Sequence, residues 1–365
     1  MTQHFLKSAA ARDFSAAQVA NMTELDCFNT FIEIRWGGFD RIICPVCGSV
    51  SSHYFRSARK QWRCKHCDAY FSVTSGTLFE DHKLSFKQML LGIALYISSA
   101  NGISIHRLSR DMNINLKTAQ VFMGKLREAL YRTRSMEKLQ GTVHMDGGHF
   151  GGRPRHGRVR KKTNSAIKAH VQEKLLAVQN KRPRKSAANH IRFKNRRIVF
   201  TLRELYPNPP DGSRLKLGAK KTITAICTAE NENYAVNLAK TFIEPGSVVM
   251  TDENPAYSQF SKWFDHKTVR HAIEFSTIDG VSDNQAESYF SRLRRYTIGV
   301  SHRIEPKYMA DIAGEMGWRE DTRRNTMKQK LNLMLGAAFR HGRSQWWRGY
   351  WQGVNRPSEI LWLTI

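Results

Sequence analysis

Two Cys-x-x-Cys pairs constrain this chain more than any other feature. CPVC places Cys44 and Cys47, CKHC places Cys64 and Cys67, and 16 residues separate the pairs. Each short turn lets two thiolates converge on one tetrahedral ion, and the separation suits a hairpin that brings the turns together. A redox dithiol would explain one such pair but not two at this spacing. Four thiolates close the coordination shell, so the expected metal is structural zinc with a role in folding, not catalysis. His53 and His66 are possible substitutes as ligands, unneeded with four cysteines present. Trp62, Tyr70 and Phe71 are expected to pack this small ribbon.

Charge then narrows the partners. The 365 residues carry 58 Lys and Arg against 31 Asp and Glu, a formal net of +27, and such a field attracts polyanions. Arg153 to Arg197 holds 16 of the basic residues against a single acid, Glu173, so more than half of the excess sits in one segment. That segment reads as part of a poorly folded insertion over 151–215, with Arg153, Arg155, Lys161 and Lys162 adding non-specific phosphate affinity. A membrane is disfavoured: the longest apolar run, MLLGIALYISSA at 89–100, is about half of the ~20 residues a span needs. The N-terminus lacks the apolar core of a signal peptide, so a reducing cytosol is expected, with Cys27 and Cys227 as buried thiols.

Periodicity divides the chain into a helical segment over 1–40, a ribbon over 41–81 and three helices over 82–137. After Gly141 short β-branched strands, TVHMD, TITAIC and SVVMTD, alternate with helical stretches, the texture of a mixed α/β domain over 138–304, and helices resume over 305–365. Within GISIHRLSRDMNINLKTAQVFMGKLREAL, a helix from Ser104, a turn at 112–115 and a longer second helix suit a helix-turn-helix. Lys117, Thr118, Gln120 and Lys125 would then face a DNA groove, opposite the apolar stripe of Ala119, Phe122, Leu126 and Leu130.

Three carboxylates carry the chemistry. Asp146 lies where a strand runs into Gly147 and Gly148, and Asp252 where another meets a turn with Pro255. In SDNQAESYFSRLRR a helix over 284–296 would bury Ala286, Tyr289, Phe290, Leu293 and Tyr296 and leave Glu287, Ser291 and Arg294 on an adjacent polar stripe. Two strand carboxylates and one helix carboxylate can hold a pair of Mg²⁺ ions ~4 Å apart, with Mn²⁺ as a substitute. Those ions would activate a water or 3′-hydroxyl against a phosphodiester, while Arg294 holds a neighbouring phosphate. Asn284 and Asp283 compete with Glu287: Asn284 with Glu287 matches a capping box, and an amide or second carboxylate there would share the metal or hold its water. An ionised carboxylate is the better ligand, which favours Glu287.

CPVCGS, WRCKHC, FSVTSGTLFEDHKLSF, ISIHRLSRDMNINLKTA, MDGGHFGG, TDENPAY, SDNQAESYFSRLRR and IAGEMGWRED, in this order, resemble the zinc-ribbon insertion-sequence transposases with an ISXO-type DDE domain. The resemblance covers most of the chain. It implies a multidomain α+β protein in which a ribonuclease-H-like catalytic domain follows the zinc ribbon and helix-turn-helix. Position by position, Asp146, Asp252 and Glu287 match the acidic triad and Arg294 its trailing base, although some members carry Asn third, which points to Asn284. The expectation is a cytosolic transposase that binds transposon ends, cuts and joins them to target DNA with Mg²⁺, and works as a homodimer or larger assembly on DNA. A non-catalytic DNA-binding regulator and a nuclease without joining activity are the alternatives.

Overall fold

The computed structural model describes residues 8–151, 196–207, 218–269, 284–354, 356 and 359–362. At the start, Ser15 caps α1 (Ala16–Asn21), and Thr23 forms a reciprocal capping box with Asp26 that opens α2 (Glu24–Trp36). Gly37, at φ +80°, ends α2 in the left-handed conformation that costs glycine least. The ribbon is a three-stranded antiparallel sheet of β1 (Tyr54–Arg56), β2 (Gln61–Arg63) and β3 (Tyr70–Ser72). Trp62 and Phe71 pair across it and pack on α2, with Trp62 5.8 Å from Phe28 and 5.3 Å from Trp36. Strand alternation turns Tyr70 outward, contrary to expectation, where it lies under the Arg56 guanidinium.

Three helices follow as the sequence predicts. They are α3 (Phe86–Ser98), capped by Ser85, α4 (Ile105–Asp111), capped by Ser104, and α5 (Leu116–Arg132), capped by Asn115. Asn113, at φ +51°, makes the turn between the last two. The stripe of Ala119, Phe122, Leu126 and Leu130 is buried.

The second half is built on a sheet of β4 (Thr142–Gly151), β5 (Arg196–Leu205), β6 (Ala219–Cys227), β7 (Val248–Asp252) and β8 (Asp265–Val269), in the order β6-β5-β4-β7-β8. β5 runs antiparallel to β4 and β6, whereas β7 runs parallel to β4 and β8. Helix α6 (Glu232–Phe242) covers the face that carries Val143, Met145, Phe200 and Val249. The opposite face, with Phe150, Val199 and Ile226, is covered by α7 (Asn284–Gly299) and α8 (Met309–Asp321). A last helix, α9 (Met327–Arg340), returns to the N-terminal half, where Leu331, Met334, Leu335 and Ala338 share one apolar core with α2, α3, α5 and the ribbon.

Two sequence expectations are corrected by this sheet. The insertion expected over 151–215 contains β5, a strand lying between β4 and β6. Its apolar IVFTL is flanked by Arg196, Arg197 and Arg203, so charge disguised it. Residues 152–195 and 208–217, and with them Arg153, Arg155, Lys161 and Lys162, lie outside the described residues. Nor does β4 stop at the glycines: it runs on to Gly151, leaving Asp146 in mid-strand.

The two halves are joined by buried charge. Glu315 of α8 accepts from Arg127 of α5 at 2.7 Å and from Arg319 at 2.9 Å, and Arg319 also donates to Tyr96 O at 2.8 Å and Ser99 O at 2.6 Å near the end of α3. Burial opposes ionisation of Glu315, yet the two guanidinium groups hold its carboxyl below the usual range. One helical turn on, Glu320 binds Arg203 of β5 at 2.9 Å and Arg292 of α7.

Candidate active site

β4 and β7 are in parallel register, Val143 beside Val249 and His144 beside Met250. The ladder ends there, two residues before Asp146 on β4 and Asp252 on β7. Alternation fixes their face: Val143, Met145 and Val249 point to α6, so Asp146 and Asp252 point to the side of α7. Each carboxylate accepts from a backbone amide just beyond it, Asp146 Oδ1 from Gly147 N at 2.6 Å and Asp252 Oδ1 from Asn254 N at 3.1 Å. Asp252 closes β7 before a turn through Pro255, as its sequence context predicts. Across β4 from Asp146, its antiparallel partner Thr201 is fully buried with its hydroxyl unbonded.

Helix α7 buries Ala286, Tyr289, Phe290, Leu293 and Tyr296, the face its periodicity predicts. Two contacts set its rotation. Gln285 O accepts from Arg203, whose strand partner is His144, and Phe290 lies over Gly148. The Gln285 side chain reaches toward Gly218 at the start of β6, and Arg292 toward Glu320 of α8. At ~100° per residue Glu287 is turned ~200° from Gln285, to the side of β4 and β7, and Arg294 repeats its direction seven residues on. Glu287 and Arg294 are exposed there. Among the described residues only the four cysteines form a set of three or more potential ligands with all donor atoms within 4.8 Å of one another, so the three carboxylates are spread more widely than that.

Asn284 does not cap α7, because it is itself helical; the capping box read from Asn284 and Glu287 is not formed. Asp283 lies outside the described residues. Carboxylates such as those of Asp146, Asp252 and Glu287 are hard-oxygen donors, the ligand type that Mg²⁺ takes.

Sequence reasoning missed Glu230. It follows β6 and reaches beneath Gly147, where a β-carbon would come 2.7 Å from its Oε1. His149 Nε2 lies 3.1 Å from Oε2, while Asn254 Nδ2 and Tyr257 OH donate to Oε1 at 3.0 and 3.3 Å. The signal was present: an acid just past an apolar strand, the context that singled out Asp252.

The cysteine centre has the geometry that zinc requires. Cys44 Sγ lies 3.7 Å from Cys67 Sγ and Cys47 Sγ 3.6 Å from Cys64 Sγ. A tetrahedron with Zn–S bonds of ~2.3 Å has edges of about 3.8 Å. Both turns close identically, through Gly48 at φ +73° and Asp68 at φ +59° after the second cysteine. Burial works against the Cys64 thiolate, but amides of Cys67 and His66 donating to its sulfur bring the thiol down to about 6. His53 is no ligand: its ring bridges Ser49 O and Lys65 N, one from each turn.

Two family models match the chain. The transposase zinc-ribbon domain matches residues 22–69, and the ISXO2-like transposase domain matches residues 138–321, half of the chain. The chain belongs to the ISXO2-like transposases. The ribbon match takes in α2, whose Phe28 stacks on Trp62, and the transposase match runs through α8 to its last residue. An uncharacterized protein of the transposable element ISH50 from Halobacterium salinarum is 28% identical to this transposase over 127 residues, 34% of this chain and 41% of that protein.

Of the groove-facing side chains expected on α5 of this transposase, Lys117 is exposed, whereas Thr118, Gln120 and Lys125 are half-buried. Burial lowers the Lys125 ammonium from its ordinary value. Within the aromatic run near the C-terminus, Trp346 and Trp347 are buried against the helical core, and Lys117 lies 4.9 Å over the ring of the exposed Trp351. Among the described residues no helix is long and apolar enough to cross a membrane.

Proposed function

We propose that this transposase binds its transposon ends as double-stranded DNA, cleaves them with Mg²⁺ and joins them to target DNA. The parallel ladder of β4 and β7, which ends two residues before Asp146 and Asp252 and whose alternation turns both to the α7 side of the sheet, is the observation that carries the reading, with Glu287 on the exposed side of α7. Three antiparallel strands followed by two parallel ones, with acids on the central strands, support a ribonuclease-H-like catalytic domain. Asp146 and Asp252 would hold the metal from the sheet, and Glu287 would complete the set of carboxylate ligands. A bound pair of divalent ions would activate the attacking water or 3′-hydroxyl and take up charge on the leaving oxygen. Arg294, seven residues beyond Glu287, binds an adjacent backbone phosphate.

End recognition falls to α4 and α5 as a helix-turn-helix, with Lys117 and Thr118 at the accessible start of α5 entering the groove. Joining two ends to one target calls for at least two copies on the DNA. The decisive experiment supplies uncut ends, pre-cut ends with a plasmid target, and Mg²⁺ or Mn²⁺ to wild type, Asp146→Asn, Asp252→Asn, Glu287→Gln and Asn284→Ala. End binding is measured in parallel. Joined products from wild type and Asn284→Ala, with none from the three acid variants and end binding retained by all, are expected. Cleavage without joining would make the protein a nuclease, no metal-dependent cleavage would make it a DNA-binding regulator, and an inactive but folded Asn284→Ala would move the third ligand to Asn284.

A further inference from the structure

We infer that Glu230 is a positioning residue that sets both metal-binding aspartates at once. This rests on the reading of Asp146 and Asp252 as metal ligands. Each aspartate accepts from a backbone amide just beyond it, Asp146 from Gly147 N and Asp252 from Asn254 N. The Glu230 carboxylate presses on the residue that supplies each of them. It fills the space a β-carbon on Gly147 would occupy, and it accepts from the Asn254 side chain at 3.0 Å. Asn254 is pinned a second time, by Ala256 N donating to its Oδ1 at 3.0 Å, so its amide cannot swing without breaking two bonds.

Glu230 is suited to hold position and not to bind metal itself. Both of its oxygens are engaged, Oε1 by Asn254 and Tyr257 and Oε2 by His149, and its side chain is only 9% exposed. It also lies on the other side of β4 from Asp146, since Gly147 points to the α6 face and Asp146 to the α7 face. Gly147 is therefore required for close approach: any larger residue would displace Glu230 and loosen both aspartates together. Supports of this kind behind metal ligands change metal affinity by roughly 10–100-fold when removed.

Length, and not charge, is the property at stake, so two conservative variants separate the possibilities. Glu230→Gln keeps the length and the Oε1 acceptor, whereas Glu230→Asp keeps the charge but falls one methylene short of Asn254. Mn²⁺ binding to the zinc-loaded protein, measured by the loss of the free-ion resonance signal, should weaken about tenfold in Glu230→Asp and Glu230→Ala and less than threefold in Glu230→Gln. The Mn²⁺ concentration for half-maximal end cleavage should move in the same order, with turnover at saturating metal much less affected. Full affinity in Glu230→Asp with loss in Glu230→Gln would overturn positioning in favour of a charge effect, and unchanged affinity in all three would overturn it outright. Asp146→Asn, run alongside, keeps the readings apart: if it binds Mn²⁺ like wild type, the metal site itself is wrong.

Discussion

Phe290 of α7 lies so close over Gly148 of β4 that a β-carbon there would come 2.5 Å from the ring. This contact fixes the height of the helix above the sheet, and Glu287 is one turn from Phe290 on the same helix. Gly148→Ala should therefore cost about 1–3 kcal/mol of stability through overpacking and depress end cleavage more than end binding. Chemical denaturation together with the cleavage and binding assays measures both effects; a variant as stable and active as wild type would mean that α7 yields without consequence.

The ribbon's Trp62 packs against Phe28 and Trp36 of α2, so the cysteine centre supports more than its own loops. Cys64→Ser should abolish zinc retention by metal analysis, lower the unfolding temperature and shift tryptophan emission toward the solvent-exposed range. A zinc-free variant with unchanged emission would contradict a structural role.

These features were unequally legible in the sequence. Local spacing carried the cysteine turns, the helix start at Ser104 and the buried face of α7, because each depends on residues a few positions apart. β5 was hidden, since Arg203 looks like a solvated charge until Glu320, 117 residues on, is seen to bind it. Gly147 and Gly148 read as a turn because their true reason, the approach of Glu230 and Phe290, comes from distant segments. IAGEMGWRED was recognisable as a motif, yet the burial of Glu315, Arg319 and Glu320 follows only from partners on α3, α5, β5 and α7.

That buried network gives a further test. Glu315 is the shared anion for Arg127 and Arg319, and all three side chains are within 8% of full burial. Removing the anion leaves two cations without compensation, so Glu315→Gln should destabilise by about 3–5 kcal/mol in a denaturant titration. Restoring packing without charge, by apolar replacement of all three residues, should recover most of that loss. If Glu315→Gln unfolds with the wild-type midpoint, the ion network contributes nothing measurable to holding α5 against α8.

Asp321, at the end of α8, gives the stability a dependence on pH. Burial is the larger influence on it and outweighs the hydrogen bonds from Thr222 N and Oγ1 at 2.9 and 2.7 Å, pushing the carboxyl up to about 7 from an ordinary value of 3.8. Between those two values the folded protein keeps a proton that the unfolded chain gives up, so protons bind on folding. The stabilising contribution is therefore complete below about pH 4 and is lost as pH rises through about 7. Asp321→Asn stays neutral, accepts from Thr222 N through its oxygen and donates to the Thr222 hydroxyl through its amide. Its stability relative to wild type should consequently improve across that window, by roughly 2–4 kcal/mol at the upper end. Parallel stability curves for the two proteins from pH 4 to 8 would show that Asp321 ionises in the folded state as readily as in the unfolded chain.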